Sequence, residues 1–225
     1  MVREKLDRHI HHIQDEILLL SSMVEQANMD AIYALKQRDF NLANRIIKND
    51  QVINDKRYAI ENAIIILFAT QQPVAHDLRL LASMLEIIIE LERMGDYAKG
   101  VANVTLKIGD ADIFVPIEEL MEMGSLSVNM LHRALDAFIK EDAKMATIIF
   151  AEDDNVDELY KKVEKMVIQN IVEKPEFCDV LTLLLYAAHN LERLADRVSN
   201  ICERTIFIVT GEQIELGGAE DDDPE

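Results

Sequence analysis

Two short stretches of this chain place carboxylates where they can hold a cation. Glu90-Leu91-Glu92-Arg93-Met94-Gly95-Asp96 returns one hundred residues later as Asn190-Leu191-Glu192-Arg193-Leu194-Ala195-Asp196. In each copy a Glu and an Asp stand four apart, and on a helix such residues share one face, a turn apart. An isolated pair of this kind is ordinary surface, because charged helix positions usually face water. The helical wheel argues otherwise here. Leu81, Leu85, Ile88 and Ile89 fall within about 60° of Glu92, whereas Arg79, Glu86, Glu90 and Arg93 are turned away by about 100° or more. Glu92 and Asp96 therefore continue an apolar stripe, and in the second copy Leu181, Leu185 and Ala188 lead into Glu192 and Asp196 in the same way.

The preceding helix of each half repeats the switch from apolar to acidic. Ala43 and Ile46 lead into Asp50, then Asn54, Arg57 and Glu61; Ala146 and Ile149 lead into Asp153, Asp157 and Glu164. Like charges a turn apart cost a few tenths of a kcal/mol, and burying them unpaired costs several more. Something positive must compensate. Two answers are open: Arg93 and Arg193 pairing across the bundle, or bound metal. Carboxylate oxygens suit hard or borderline cations such as magnesium, calcium, manganese, iron or zinc.

The elements that must position these side chains are helices. Glycine and proline are scarce, at seven and four, Trp is absent and aromatics make up 5% of the chain, which excludes a turn-rich sheet protein. Apolar residues at Ile13, Ile17, Leu20, Val24, Ala27 and Ala31 step by three and four along one stripe. The pattern predicts helices near 3–37, 41–70, 75–108, 117–140, 143–173 and 177–210. Asp39 and Asp142 read as N-caps and Gly211 as the residue closing the last helix. Asp50 corresponds to Asp153 at an offset of 103, and Glu92 to Glu192 at 100, so the chain is a duplication. The expected architecture is all-α: two tandem three-helix bundles built from six long antiparallel helices. Residues 1–109 form the first, 110–212 the second, and 213–225 an acidic, disordered tail.

A formal net charge of −19 excludes nucleic acid as a natural partner and favours a cation or a basic surface. Five of those charges fall in Glu220 to Glu225. Cys178 and Cys202 form neither a disulfide framework nor a metal-ligand spacing, which points to a reducing cytoplasm. The longest apolar run, Ala63 to Ala69, is far shorter than the ~18 residues a membrane span needs. His9, His11 and His12 read as a frayed helix start, His76 and His132 as surface or satisfied positions. His189 lies on the same face as Glu192 and can join a site there. No phosphate-binding loop or nucleophile motif is present: Val101-Ala102 stand where Lys and Ser or Thr are required after Gly95 and Gly100. Those two glycines read as points of close helix packing.

Four motifs in order, Gln72-Pro73-Val74-Ala75-His76-Asp77-Leu78-Arg79, Leu91 to Asp96, Leu191 to Asp196 and Val209-Thr210-Gly211-Glu212, resemble the PhoU family of phosphate-uptake regulators over essentially the whole chain to Glu212. The resemblance implies cytoplasmic, often homodimeric negative regulators of the phosphate-starvation response. It also implies contact with the ATPase subunit of a phosphate ABC transporter and with a sensor histidine kinase, and metal clusters of iron, zinc or other divalent ions. Carried over by residue, the metal motifs fall on Asp50, Glu92 and Asp96 in the first half and on Asp153, Asp157, Glu192 and Asp196 in the second. Asn54 stands where the other half has Asp157, so the first site is expected to bind metal more weakly. No enzymatic activity is expected. The rivals are a ferritin-like carboxylate metal enzyme, disfavoured because no histidine has a Glu three residues before it, a metal-dependent phosphohydrolase, and a purely structural scaffold.

Overall fold

The periodic apolar stripes become seven helices in the computed structural model, which describes residues 2–213. They are α1 (Val2–Gln37), α2 (Phe40–Gln71), α3 (Ala75–Ile108), α4 (Ile117–Lys140), α5 (Ala143–Phe150), α6 (Asp153–Glu173) and α7 (Cys178–Thr210), with a 3-10 turn over Pro175–Phe177. No strand occurs among the described residues. The acidic run Glu220–Glu225 lies outside them. At ~1.5 Å per residue the longest helices span about 50 Å.

The caps are those the residue types dictate. Asp39 accepts from the Leu42 backbone N–H at 2.9 Å, and Asp142 from those of Lys144 and Met145 at 3.1 and 3.0 Å. Each satisfies orphan donors of the first turn, worth about 1 kcal/mol. Gly211 closes α7 in the left-handed conformation, φ 78°, with its N–H on the Phe207 carbonyl. Only a residue without a Cβ adopts that geometry at no steric cost.

One expectation needs correction. The helix predicted over 143–173 is two, α5 and α6, separated at Ala151-Glu152. The ladder tightens there: the Glu152 N–H reaches the Ile149 carbonyl, three residues back. Glu152, Asp153 and Asp154 crowd three negative charges into successive positions, and Glu152 is drawn to Arg133 of α4 at 2.6 Å. The break leaves Asp153 and Asp154 in the first turn of α6, where the helix dipole favours negative charge. In the first half α2 runs unbroken through the corresponding positions.

α1 and α2 pack on α3, while α4, α5 and α6 pack on α7. α3 and α7 then pack against each other along the middle of the molecule. Their contact carries the duplication's pseudo-twofold symmetry. Asn200 donates to Glu90 Oε2 at 3.3 Å, and the symmetric position pairs Asn190 with Gly100. A Cβ on Gly100 would come within 2.8 Å of the Asn190 amide, so glycine sets that approach. Buried residues from both halves, among them Ile17, Leu20, Leu81, Ile88, Phe138, Leu191 and Val198, make one continuous core. Each fully buried Leu or Ile contributes roughly 1.5–3 kcal/mol.

The charged stripe of α3 is only partly solvated. Glu86 meets Arg204 at 3.0 Å, Glu90 meets Arg197 at 3.4 Å, and Arg79 donates to the Ile208 carbonyl. All three partners belong to α7, so the stripe is the polar seam between the halves. His76 likewise bridges the halves, with Nε2 2.8 Å from Glu141.

Candidate metal centre

Both acidic clusters sit where the second long helical segment of a half faces the third. In the first half Gly95 admits α2 to α3: a Cβ there would already stand 3.2 Å from Ile53 Cδ1. In the second half the buried Ala195 plays that part. These small residues bring Asp50 toward Glu92 and Asp96, and Asp153 and Asp157 toward Glu192 and Asp196.

In the second half one carboxylate oxygen from each of Asp157, Glu192 and Asp196 lies within 4.8 Å of the other two. Oxygens bound to a single small cation at about 2.0–2.3 Å stand at most about 4.6 Å apart. The trio thus fits one ion with little adjustment, and its all-oxygen donor set suits a hard or borderline cation. Among the described residues no other group gathers three ligand atoms so closely. Asp153 flanks the trio. Its Oδ2 accepts from Ser199 at 3.3 Å, while its Oδ1 is buried with no hydrogen-bond partner. Burial, then the charges of Asp196 and Asp157, push its pKa up to about 7.

Glu192 and Asp196 are shifted upward too, each first by burial and then by a neighbouring carboxylate. His189 Nδ1 stands 3.0 Å from Glu192 Oε2, close enough for an ion pair when the ring is protonated. Beyond that contact the oxygen is buried with no hydrogen-bond partner. Glu164, one face-turn beyond Tyr160 on α6, raises the Tyr160 phenol after burial does. Cys202 is no soft ligand here: burial and then Asp153 push its thiol up to about 12, so it stays protonated.

The first half has one carboxylate fewer, with Asn54 at the position of Asp157, and answers the rest from within. Asp50 is 6% exposed, and its Oδ2 accepts from Lys99 Nζ at 2.7 Å. The same ammonium lies 3.9 Å from Asp96 Oδ1. Asn54 reaches Asp50 weakly, at 3.5 Å. Arg57 pairs with Glu61 at 2.7 Å, stacks over the Tyr58 ring and lowers Glu92 through space. Glu92 and Asp96 are still raised, each chiefly by burial. Lys99 in turn is raised, first by its bond to Asp50.

Of the carboxylates expected to hold metal, the structure gathers Asp157, Glu192 and Asp196 into one group, while Asp50 and Asp96 lie about the Lys99 ammonium, a cation the sequence pattern did not single out. Arg93 and Arg193 do not supply it. Arg93 bonds Glu90 and reaches Glu92 only through space, less than Arg57 does, and Arg193 lies over the Tyr97 ring, reaching Asp196 only through space. The cations that matter in the first half are Lys99 and Arg57. The signal was available: at the duplication's own offsets Lys99 corresponds to Ser199, and Arg57 to Tyr160.

Comparison with known proteins agrees with this architecture. The PhoU domain family matches residues 17–105 and again 120–205. The phosphate-specific transport system accessory protein PhoU homolog of Clostridium acetobutylicum is 34% identical over 217 residues, covering 96% of this chain and 99% of that protein. The phosphate-specific transport system accessory protein PhoU of Escherichia coli strain K12 is 32% identical, covering 96% and 90%. The crystal structure of the phosphate transport system regulatory protein PhoU from Streptococcus pneumoniae superimposes with a TM-score of 0.87 at 34% identity, over 94% of this chain and all of that one. PhoU from Pseudomonas aeruginosa gives 0.85 at 30% identity. With the family's domain matched twice and its solved structures superimposable on the whole bundle pair, this chain belongs to the PhoU family.

Proposed function

We propose that this protein is a non-enzymatic accessory regulator of phosphate transport that holds the phosphate-starvation response off when phosphate is plentiful. The observation that carries the role is the end-to-end match to phosphate-specific transport accessory proteins, whose domain occurs here twice. Regulation proceeds by contact with the ATPase subunit of the phosphate ABC transporter and with its sensor histidine kinase. The protein works in the cytoplasm, as a homodimer, and meets the membrane only through those partners. In support, no helix among the described residues is long and apolar enough to cross a membrane. The acidic surface of a chain at −19 suits basic protein surfaces.

Metal belongs to the second half in this reading. Asp157, Glu192 and Asp196 would hold it, with Asp153 and His189 beside them. Bound there, a divalent or trivalent ion such as iron, zinc, manganese or magnesium neutralises carboxylates that have no Lys beside them and stiffens α6 against α7. The metal is structural or regulatory in this reading, in keeping with the accessory role named for the relatives the chain matches.

The test is complementation. A deletion strain grown in ample phosphate is given wild type, or a variant with Glu92, Asp96, Glu192 and Asp196 changed to Ala, and alkaline phosphatase is assayed. Wild type restores repression and the folded variant does not. Failure of wild type to restore repression contradicts the regulatory role. Repression by both retains the role and removes the metal from it.

A further inference from the structure

The two halves place different atoms at one corresponding point. In the second, Ser199 Oγ donates to Asp153 Oδ2 at 3.3 Å; in the first, the ammonium of Lys99, at the matching position, donates to Asp50 Oδ2 at 2.7 Å. The same ammonium reaches Asp96 at 3.9 Å, so it spans a carboxylate from α2 and one from α3 as a bridging ion would. Two more exchanges go the same way. Asn54 stands for Asp157, which removes a negative ligand, and Arg57 stands for Tyr160, which adds a positive charge near Glu92.

We propose that Lys99 is a built-in counter-ion that takes the place of a metal in the first half, so that the chain carries a single metal centre. This rests on the reading of Asp157, Glu192 and Asp196 as metal ligands. The chemistry is simple exclusion. An ammonium tethered to the α3 backbone sits beside Asp50 at no cost in translational freedom and repels a second cation. Asp50 and Asp153 each leave Oδ1 buried without a hydrogen-bond partner; what differs is the group on Oδ2, a charged ammonium in the first half and a neutral hydroxyl in the second. The first bundle is assembled whatever the metal supply, and the second alone responds to it.

The duplication provides its own experiment, run in both directions on the full chain with Mn2+ as the probe. After chelation and dialysis, Mn2+ stoichiometry is read by metal analysis and by the loss of the free-ion EPR signal. Metal-free melting temperature is read in parallel. Wild type is expected to bind Mn2+ only through the second half, so that Asp157→Asn with Asp196→Asn abolishes stoichiometric binding. Ser199→Lys is expected to raise the metal-free melting temperature and weaken Mn2+ at least tenfold. Lys99→Ser with Asn54→Asp and Arg57→Tyr is expected to lower it and to add Mn2+ binding that restores it. The proposal is overturned if the Asp157/Asp196 variant still binds Mn2+ stoichiometrically, or if Ser199→Lys leaves both readings unchanged. A triple variant that folds without gaining Mn2+ overturns it too. Should the triple variant fail to fold, Ser199→Lys decides alone. Wild type that binds no Mn2+, zinc or iron anywhere defeats the metal reading itself, a result distinct from any of these.

Discussion

The two acidic clusters began as one sequence and now solve the same electrostatic problem in two ways. In the first half Asp50, Glu92 and Asp96 face Lys99 and Arg57; in the second, Asp153 faces Ser199, His189 stands beside Glu192, and Arg197 and Arg193 reach Asp196 only through space. The helix pairing, the small residues at 95 and 195 and the apolar floor are shared, though the break before α6 has no counterpart in α2. What differs is who supplies the positive charge. A half-buried like-charge cluster must be neutralised, by protonation, by a side chain or by a bound ion. Burial and the charges of Asp196 and Asp157 push Asp153 up to about 7, which favours a proton on that carboxyl. The comparison teaches that a duplicated carboxylate motif does not by itself imply a duplicated function.

The largest effect expected is on metal binding. Asp157→Asn with Asp196→Asn should weaken Mn2+ at least ~100-fold in isothermal titration, since loss of a mere supporting partner already costs 10–100-fold. Glu92→Gln with Asp96→Asn should leave the second-half isotherm intact. Equal losses from the two pairs would break the comparison. Next comes stability: Mn2+ at about 100 times its Kd should stabilise by ~2.7 kcal/mol, raising the Tm by roughly 5–10 °C. A chelator should reverse the shift, and in the Asp157/Asp196 variant the shift should vanish.

Lys99→Met should destabilise the protein by about 2 kcal/mol in urea unfolding, because it strands the Asp50 carboxylate. That is below the 3–5 kcal/mol of a fully buried pair, since the Lys99 side chain is 37% exposed and screened. Ser199→Ala should cost far less. The smallest effect is a pH dependence. Asp153 binds a proton more tightly folded than unfolded, so its contribution is fully present below about pH 4 and is lost as pH climbs through about 7. Glu192 and Asp196 shift in the same direction; Asp157, His189, Arg193 and Arg197 complete the charges around them. The metal-free Tm should fall by about 5 °C between pH 5 and pH 8. Asp153→Asn should flatten that slope, and saturating Mn2+ should reverse it.

Much of this was legible in the residues. The stripe from Leu81 through Ile88 to Glu92 is a property of one helix, and so is the cap at Asp39; both can be read locally. The acid clusters followed because the duplication places the same stripes on facing helices. What stayed hidden depends on what covers a face. Glu86 and Glu90 read only as a polar face turned away from Glu92, because nothing local says that Arg204 and Arg197 of α7 lie across them. Nothing local singles out Lys99, because its partner, Asp50, is 49 residues away and on another helix. The break at Ala151-Glu152 rests on Arg133 of α4, equally remote in sequence. The acidic end beyond residue 213 lies outside the described structure.

The most direct test of the asymmetry is anomalous diffraction at the manganese edge from crystals grown with Mn2+. The account predicts a peak among Asp157, Glu192 and Asp196 and none beside Asp50, where Lys99 keeps its contact. Peaks of similar height in both clusters, or one at Asp50 alone, would contradict it.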